Sequence, residues 1–287
     1  VLTNPFLSQA NTGRNRIYLY AAVTITICLA VLATTFLAGL FLAISFGSLN
    51  LQKLPPLVLF ILNLLPFPAA IAALFYTLQR WHKRKPLSLI TANPAINWRL
   101  FWTSGLIWLG LNILGDLLLG LFLTPGNYKW NFSPVGFLAF GLVGVLLIPL
   151  QAAAEEIIFR GYFLQGFGLL TRRSWAALLL SSLLFGALHY GNQEVSLYGT
   201  GLMLTYYVAM GLLLGFVTLR FLGLEAAIGL HVANNLYSVL FVTFPGSSLP
   251  TPALFAIQKF DPLISLIVFL ASAFGYFFIL SAFNKKP

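Results

Sequence analysis

The sequence predicts an all-α polytopic membrane protein with about eight transmembrane helices, and three observations predict it. First, 59% of the 287 residues are hydrophobic and only 8% are charged, with a mean hydropathy of +0.91. A soluble protein carries about 25% charged residues. Second, the apolar residues fall into runs of about 20, the length an α-helix needs to cross the hydrocarbon core. Third, lysine and arginine are concentrated in alternate breaks between those runs. With both termini in the cytoplasm, Arg14, Arg16, Arg80, Lys83, Arg84, Lys85, Arg99, Arg172, Arg173, Arg220, Lys285 and Lys286 are inside. Only Lys53, Lys129 and Lys259 are outside, and Arg160 lies in the membrane region, so the bias is 12 against 3. That is the distribution of a multi-pass protein with both termini cytoplasmic.

The elements follow in order. The run 17–45 follows Arg14 and Arg16 and is nearly 30 residues long, too long for the apolar core of a cleavable signal peptide. SLNLQKLPP separates it from 55–79, which stops at RWHKRKP. The third run, 98–123, ends at TPGNYKWNFSP. The fourth, 134–155, stays apolar beyond its glutamates; it continues, kinks near Pro149, or turns into an interfacial piece ending at Arg172-Arg173. LLTRRS and YGNQEVS bound 174–190, and RFLGLE separates 199–221 from 225–244. TFPGSSLPTPALFAIQKFDP precedes the last run, 262–283. The breaks carry turn residues or charge. Four parts result: a cytoplasmic tail over 1–16, helices without a motif over 17–133, a chemistry-bearing core over 134–245, and an outer loop, last helix and short cytoplasmic tail over 246–287.

Composition also excludes functions. The single cysteine, Cys28, permits no disulfide framework or cysteine zinc site within one chain. The net charge of +10 belongs to topology-setting loops. No aromatic-interleaved basic patch, P-loop or GxGxxG is present, so nucleic acid is not expected as a partner; membrane lipids are.

The informative residues are the charges that sit inside apolar sequence. Two of the six acidic residues, Glu155 and Glu156, are adjacent within LLIPLQAAAEEIIFRGYF. An ionisable residue at the centre of a membrane helix costs roughly 2.5–3.5 kcal/mol on insertion scales, so it points to function and to a partner. Glu156 and Arg160 are four apart and share a helix face, so they can pair. Glu155 points about 100° away and is free to act as a general base. His189 ends one apolar run, with Phe185 one turn earlier as a pocket wall. His231 lies in another, with Asn235 on its face. A histidine and an amide on one face can donate two hydrogen bonds to one point, as an oxyanion in amide hydrolysis requires. No serine or cysteine stands out as a nucleophile. Water attack on a carbonyl is the expected chemistry: Glu155 takes the proton, His189 orients the water, and His231 with Asn235 holds the oxyanion. A buried structural ion pair is the alternative for Glu156 and Arg160, and interhelical bonding for the asparagines. Asp116 stands alone in the third run, either a member of a proton relay or a structural residue bonded to Asn112 one turn earlier.

These residues resemble the three motifs of the CPBP family, also called Abi, of intramembrane proteases, which includes the type II CAAX prenyl endopeptidases of the Rce1 kind. The motif EExxxR reads Glu155-Glu156-Ile157-Ile158-Phe159-Arg160; FxxxH reads Phe185 to His189; HxxxN reads His231 to Asn235. The motifs occur in order, about 30 and 40 residues apart, and the resemblance covers roughly residues 135–245. It implies an intramembrane endopeptidase with a cytosol-accessible cavity, acting on a membrane-associated peptide or protein, lipidated or not. It implies Glu155, Glu156, His189, His231 and Asn235 as catalytic, with Arg160 and Phe185 supporting. The eukaryotic branch removes the last three residues of prenylated CAAX proteins; other members resemble bacterial proteins of peptide processing or bacteriocin self-immunity. A prokaryotic inner membrane or an organellar membrane is the expected location. The family has been described both as zinc-dependent and as glutamate-dependent. No HExxH is present, and the glutamate-dependent reading without a cofactor is favoured; a zinc ion would take Glu155, His189 and His231. A proton-coupled transporter and a non-catalytic immunity protein are the rival readings.

Two expectations concern geometry. Arg172, Arg173 and Arg220 would rim the cavity with positive charge and favour a free C-terminal carboxylate. The heights also need reconciling: at about 1.5 Å per residue, His231 lies only ~10 Å into its run, whereas Glu155 and His189 lie ~20 Å or more from their cytoplasmic ends.

Overall fold

All eight apolar runs are helical. The computed structural model describes residues 4–46 and 54–283; Lys53, Lys285 and Lys286 lie outside the described residues. The helices are α1 (Ile17–Phe46), α2 (Pro56–His82), α3 (Trp98–Leu123), α4 (Pro134–Thr171), α5 (Ser174–Leu188), α6 (Thr200–Phe221), α7 (Glu225–Leu240) and α8 (Pro262–Phe283). Six are long and apolar enough to cross a membrane, which makes this an all-α polytopic membrane fold. The other two, α5 and α7, have 15 and 16 residues. They reach only about 22 and 24 Å, short of a ~30 Å hydrocarbon core.

Local chemistry sets the boundaries. Pro56, Pro134 and Pro262 occupy the first turns of their helices, where a missing N–H costs nothing. Lys83, Arg172 and Leu222 adopt left-handed backbone, with φ of 57°, 57° and 61°, and end α2, α4 and α6. Two of these caps are basic, as the negative end of a helix dipole favours.

The fourth run does not stop at residue 155. Pro149 leaves it unbroken, and a π-helical stretch, Ile157–Phe163, carries it to Thr171. The result is 38 residues long. Glu155 therefore stands about 24 Å above the basic end of α4. The mismatch in heights is resolved from the other side: α7 begins inside the protein. Leu224 N–H donates to Ile90 O at 2.7 Å, and Asn97 N–H donates to Glu225 Oε1 at 3.1 Å. Glu225 is buried. With α4 running on past residue 155 and the start of α7 held against Asn97, His231, the seventh residue of α7, meets Glu156 at mid-α4.

The core forms around α7. It includes Trp108, Phe159, Phe185, Leu214, Leu230 and Tyr276. Glycine sets the approach of α3 and α7: a Cβ on Gly229 would lie 2.1 Å from Phe101 O, and one on Gly105 would lie 2.9 Å from Gly229 O. Small residues let two backbones touch, the usual way helices pack in lipid. Beside this contact, Ser104 Oγ donates to Ala226 O at 2.5 Å and bonds Tyr276 Oη at 2.6 Å. The remaining histidine, His82, is structural. Its ring joins Arg14 O at 2.7 Å to Tyr162 Oη at 2.9 Å, tying the N-terminal segment to α4. At the opposite end, three short strands form a cap: β1 (Tyr128–Trp130), β2 (Val242–Thr243) and β3 (Phe255–Ile257). β3 is central, antiparallel to β1 with Lys129 opposite Ala256, and parallel to β2.

Because His231 is two residues from Gly229, the glycine contact also sets the height of the histidine. Gly229→Ala should force α3 and α7 apart and cost about 1–3 kcal/mol, as overpacking does. Thermal melting in detergent checks this. Gly39→Ala, where a Cβ meets nothing within 4 Å, should leave the melt unchanged or raise it.

Candidate active site

The two glutamates take different environments, as their 100° separation requires. Glu156 points into protein and is fully buried. Its Oε1 accepts from Arg160 Nη1 at 2.8 Å and from His231 Nδ1 at 2.8 Å. The pairing expected with Arg160 is present. The grip on His231 is not readable from spacing, since 75 residues separate the two. Arg160 is also fully buried; its guanidinium lies 4.3 Å from the centroid of the Phe185 ring, and Nη2 reaches Gly211 O at 3.4 Å. Phe185 therefore does more than wall a pocket: its π face covers the buried cation.

Glu155 faces the other way, into a cavity of about 1110 Å³. His189, His231, Asn234 and Asn235 line the same cavity, as does Phe185; Glu156 and Arg160 stand behind it. With Nδ1–H committed to Glu156, His231 presents Nε2 to the cavity, 3.8 Å from Glu155 Oε2. A carboxylate that holds one ring nitrogen sets the orientation of the other. His189 is held similarly by backbone: Nδ1 donates to Phe185 O at 2.7 Å, and its ring stacks on Tyr207 at 4.1 Å. Its Nε2 remains for the cavity. The Phe185 ring lies between the histidines, 4.4 Å from His189 and 6.3 Å from His231.

Asn235 has a partner that the sequence reading missed. Gln151 donates from Nε2 to Glu155 Oε1 at 2.5 Å and accepts from Asn235 Nδ2 at 2.9 Å. One amide N–H of Asn235 is thereby used and the other is free. Asn234 extends the chain, donating to Asn235 Oδ1 at 3.1 Å and accepting from Trp108 Nε1 at 3.1 Å. The signal for Gln151 was available: a glutamine one turn before Glu155, on its face, inside an apolar run.

Asp116 does not bond Asn112. Its oxygens accept from Tyr128 Oη at 2.7 Å and Tyr237 Oη at 2.6 Å. Burial, and then the adjacent carboxylate, push the Tyr128 phenol above its ordinary value, which keeps it a donor. The partners lie 12 and 121 residues away, beyond any one-turn rule. Glu194, in the helical turn Gln193–Tyr198, also lines the cavity and was not singled out.

The expected positive rim is absent. Arg99, Arg172, Arg173 and Arg220 stand at the start of α3, the end of α4, the start of α5 and the end of α6. The cavity is lined from the other ends: Asn112 to Leu119 of α3, Leu188 at the end of α5 and His189 just after it, Met203 to Met210 of α6, and Pro262 and Ser265 of α8. Among the described residues, no lysine or arginine lines it. Among the described residues, no group of three or more His, Cys, Asp or Glu side chains is placed so that it could hold a metal ion.

Residues 134–237 match the family model described as type II CAAX prenyl endopeptidase Rce1-like, a span that contains all three motifs. The chain is 30% identical over 210 residues to a Bacillus subtilis (strain 168) protein described as "Uncharacterized protein YyaK". That alignment covers 72% of this chain and 70% of the relative. No solved structure matches.

The asymmetry between the carboxylates can be measured by stability alone. Glu156→Gln leaves Arg160 and His231 without their shared anion and should cost about 3–5 kcal/mol, the penalty for breaking a buried pair. Glu155→Gln keeps an oxygen for Gln151 and should melt within about 0.5 kcal/mol of wild type. Chemical or thermal denaturation in detergent separates them; equal losses would contradict the division of roles.

Proposed function

The chain belongs to the Rce1-like family of type II CAAX prenyl endopeptidases, and from that premise we propose that it is an intramembrane endopeptidase that hydrolyses a peptide bond with water activated by Glu155. The observation that carries the reading is that Glu155, His189, His231 and Asn235 line one cavity while Glu156 and Arg160 hold His231 and Glu156 from behind.

Glu155 lines the cavity and its Oε2 has no hydrogen-bond partner in the protein, so Oε2 is the oxygen assigned to accept a proton. Gln151 holds the other oxygen and with it the carboxylate plane. A water between Glu155 and His189 loses a proton to Glu155 as its oxygen adds to the scissile carbonyl carbon. The carbonyl oxygen becomes an oxyanion. The second N–H of Asn235, and His231 Nε2 when protonated, donate to it. The intermediate collapses, the C–N bond breaks, and Glu155 returns its proton to the leaving amine. Glu156 and Arg160 touch no reacting atom in this scheme; they position His231. The mechanism routes no step through a metal.

Orientation belongs to the same proposal. The positive-inside distribution puts the ends bearing Arg99, Arg172, Arg173 and Arg220 in the cytoplasm. The cavity then opens on the opposite, non-cytoplasmic face, not toward the cytosol.

Purified protein in proteoliposomes, incubated with internally quenched amphipathic peptides, should cleave them, and Glu155→Gln should lower the rate at least about a hundredfold, as loss of a general base does. An unchanged rate would remove Glu155 from the chemistry. For orientation, Gln193→Cys and Arg172→Cys would each be built with Cys28→Ala and exposed to an impermeant thiol reagent. Gln193→Cys should react on intact cells and Arg172→Cys only after permeabilisation. The reverse pattern would invert the topology.

A further inference from the structure

The cavity carries a second anchored carboxylate that the hydrolytic scheme does not use. Glu194 is only 2% exposed. Its Oε1 accepts from the Tyr207 hydroxyl, from Asn192 Nδ2 at 3.2 Å and from Ser248 Oγ at 3.0 Å. Three donors from separate parts of the chain fix its direction. Its Oε2 is buried without a partner in the protein. Buried polar atoms are nearly always paired, so an unpaired carboxylate oxygen at a cavity wall needs explanation. The Tyr207 that donates to Glu194 is the ring on which His189 stacks. Glu194 therefore stands one tyrosine length from the proposed reaction centre.

The surrounding charge narrows what could complete it. Among the described residues, no lysine or arginine lines the cavity. The buried cation Arg160 is already paired with Glu156. Asp116 has both oxygens taken by tyrosines. Glu155 and Glu194 each keep a free oxygen. Two buried carboxylate oxygens without a hydrogen-bond partner, and with no opposing cation among the described lining residues, make a negative field in a poorly solvated site, which draws positive charge and repels anions.

We propose that Glu194 is a specificity residue: the cavity takes a peptide segment with a lysine or arginine side chain beside the cleaved bond, and Glu194 Oε2 pairs with that cation. A free C-terminal carboxylate has no counter-charge in this cavity. The assignment rests on the endopeptidase reading for its position next to the cleaved bond, and on the cavity's own charge for its preference.

The test uses two fluorescent decapeptides of leucine, alanine and serine, blocked at both ends and identical except for a central lysine or acetyl-lysine. Binding is measured on full-length Glu155→Gln protein in proteoliposomes, where turnover is blocked, and cleavage on the wild type. The lysine peptide should bind about tenfold more tightly at low salt, with the ratio falling toward one at high salt, as a charge-assisted pair predicts. Adding Glu194→Gln should abolish the ratio and leave the acetyl-lysine peptide's affinity unchanged. Equal binding of the two peptides would overturn the proposal, and this comparison needs no Glu194 variant to fold. A ratio that survives Glu194→Gln would overturn the assignment to this residue. So would equal slowing of both peptides' cleavage by Glu194→Gln in the otherwise wild-type protein, since that would make Glu194 a support for Tyr207 and His189. A lysine preference without cleavage of either peptide would sink the endopeptidase reading and leave the cation site standing. Equal cleavage of both would do the reverse.

Discussion

A single buried oxygen organises this protein: Oε1 of Glu156, which accepts from Arg160 on its own helix and from His231 on α7. Three ionisable groups are taken out of solvent together, an arrangement stable only while each keeps its partners. The Arg160 guanidinium rests on Phe185, which ties α5 to the same point. Phe185 in turn supplies the carbonyl that holds His189. All three motifs therefore meet through one ion pair and one ring. The two motif histidines are placed by this construction, and the cavity is what remains on its far side.

The long α4 makes the construction possible. Adjacent glutamates on a helix cannot share a face, so one enters the ion pair and the other enters the cavity. The π-helical stretch begins immediately after them, at Ile157, and insertions of this kind often accompany functional sites. On the cavity side, a chain of amides runs from Trp108 through Asn234, Asn235 and Gln151 to Glu155. It spans α3, α7 and α4 and determines which oxygen of Glu155 is free. The close contact of Gly229 with Phe101 keeps α3 and α7 near enough for this chain to close.

Membership in a CAAX endopeptidase family does not by itself define what enters this cavity. Among the described residues, its wall combines apolar side chains with three carboxylates and no lysine or arginine. That composition suits a cationic or neutral peptide segment better than a chain end bearing its own carboxylate. Arg99, Arg172, Arg173 and Arg220 are at the opposite pole of the helices.

The sequence by itself determined the membrane class, the eight helical segments, the three motifs and the pairing of Glu156 with Arg160. Each of these is a local property: apolar run length, charge in breaks, or residues one helical turn apart. Gln151 was equally local and was overlooked only because a glutamine carries no charge to draw attention. Tertiary structure alone decided the rest. Glu156 with His231, Asp116 with Tyr237, and Trp108 with Asn234 join residues 75, 121 and 126 positions apart. No helical periodicity relates such residues. Only the packing of α7 against α3 and α4 does, through a glycine contact whose partner cannot be read from either helix. The direction of the cavity was likewise undecided until helix ends were placed: a motif shows which side chains share a face, but not which end of a bundle is left open.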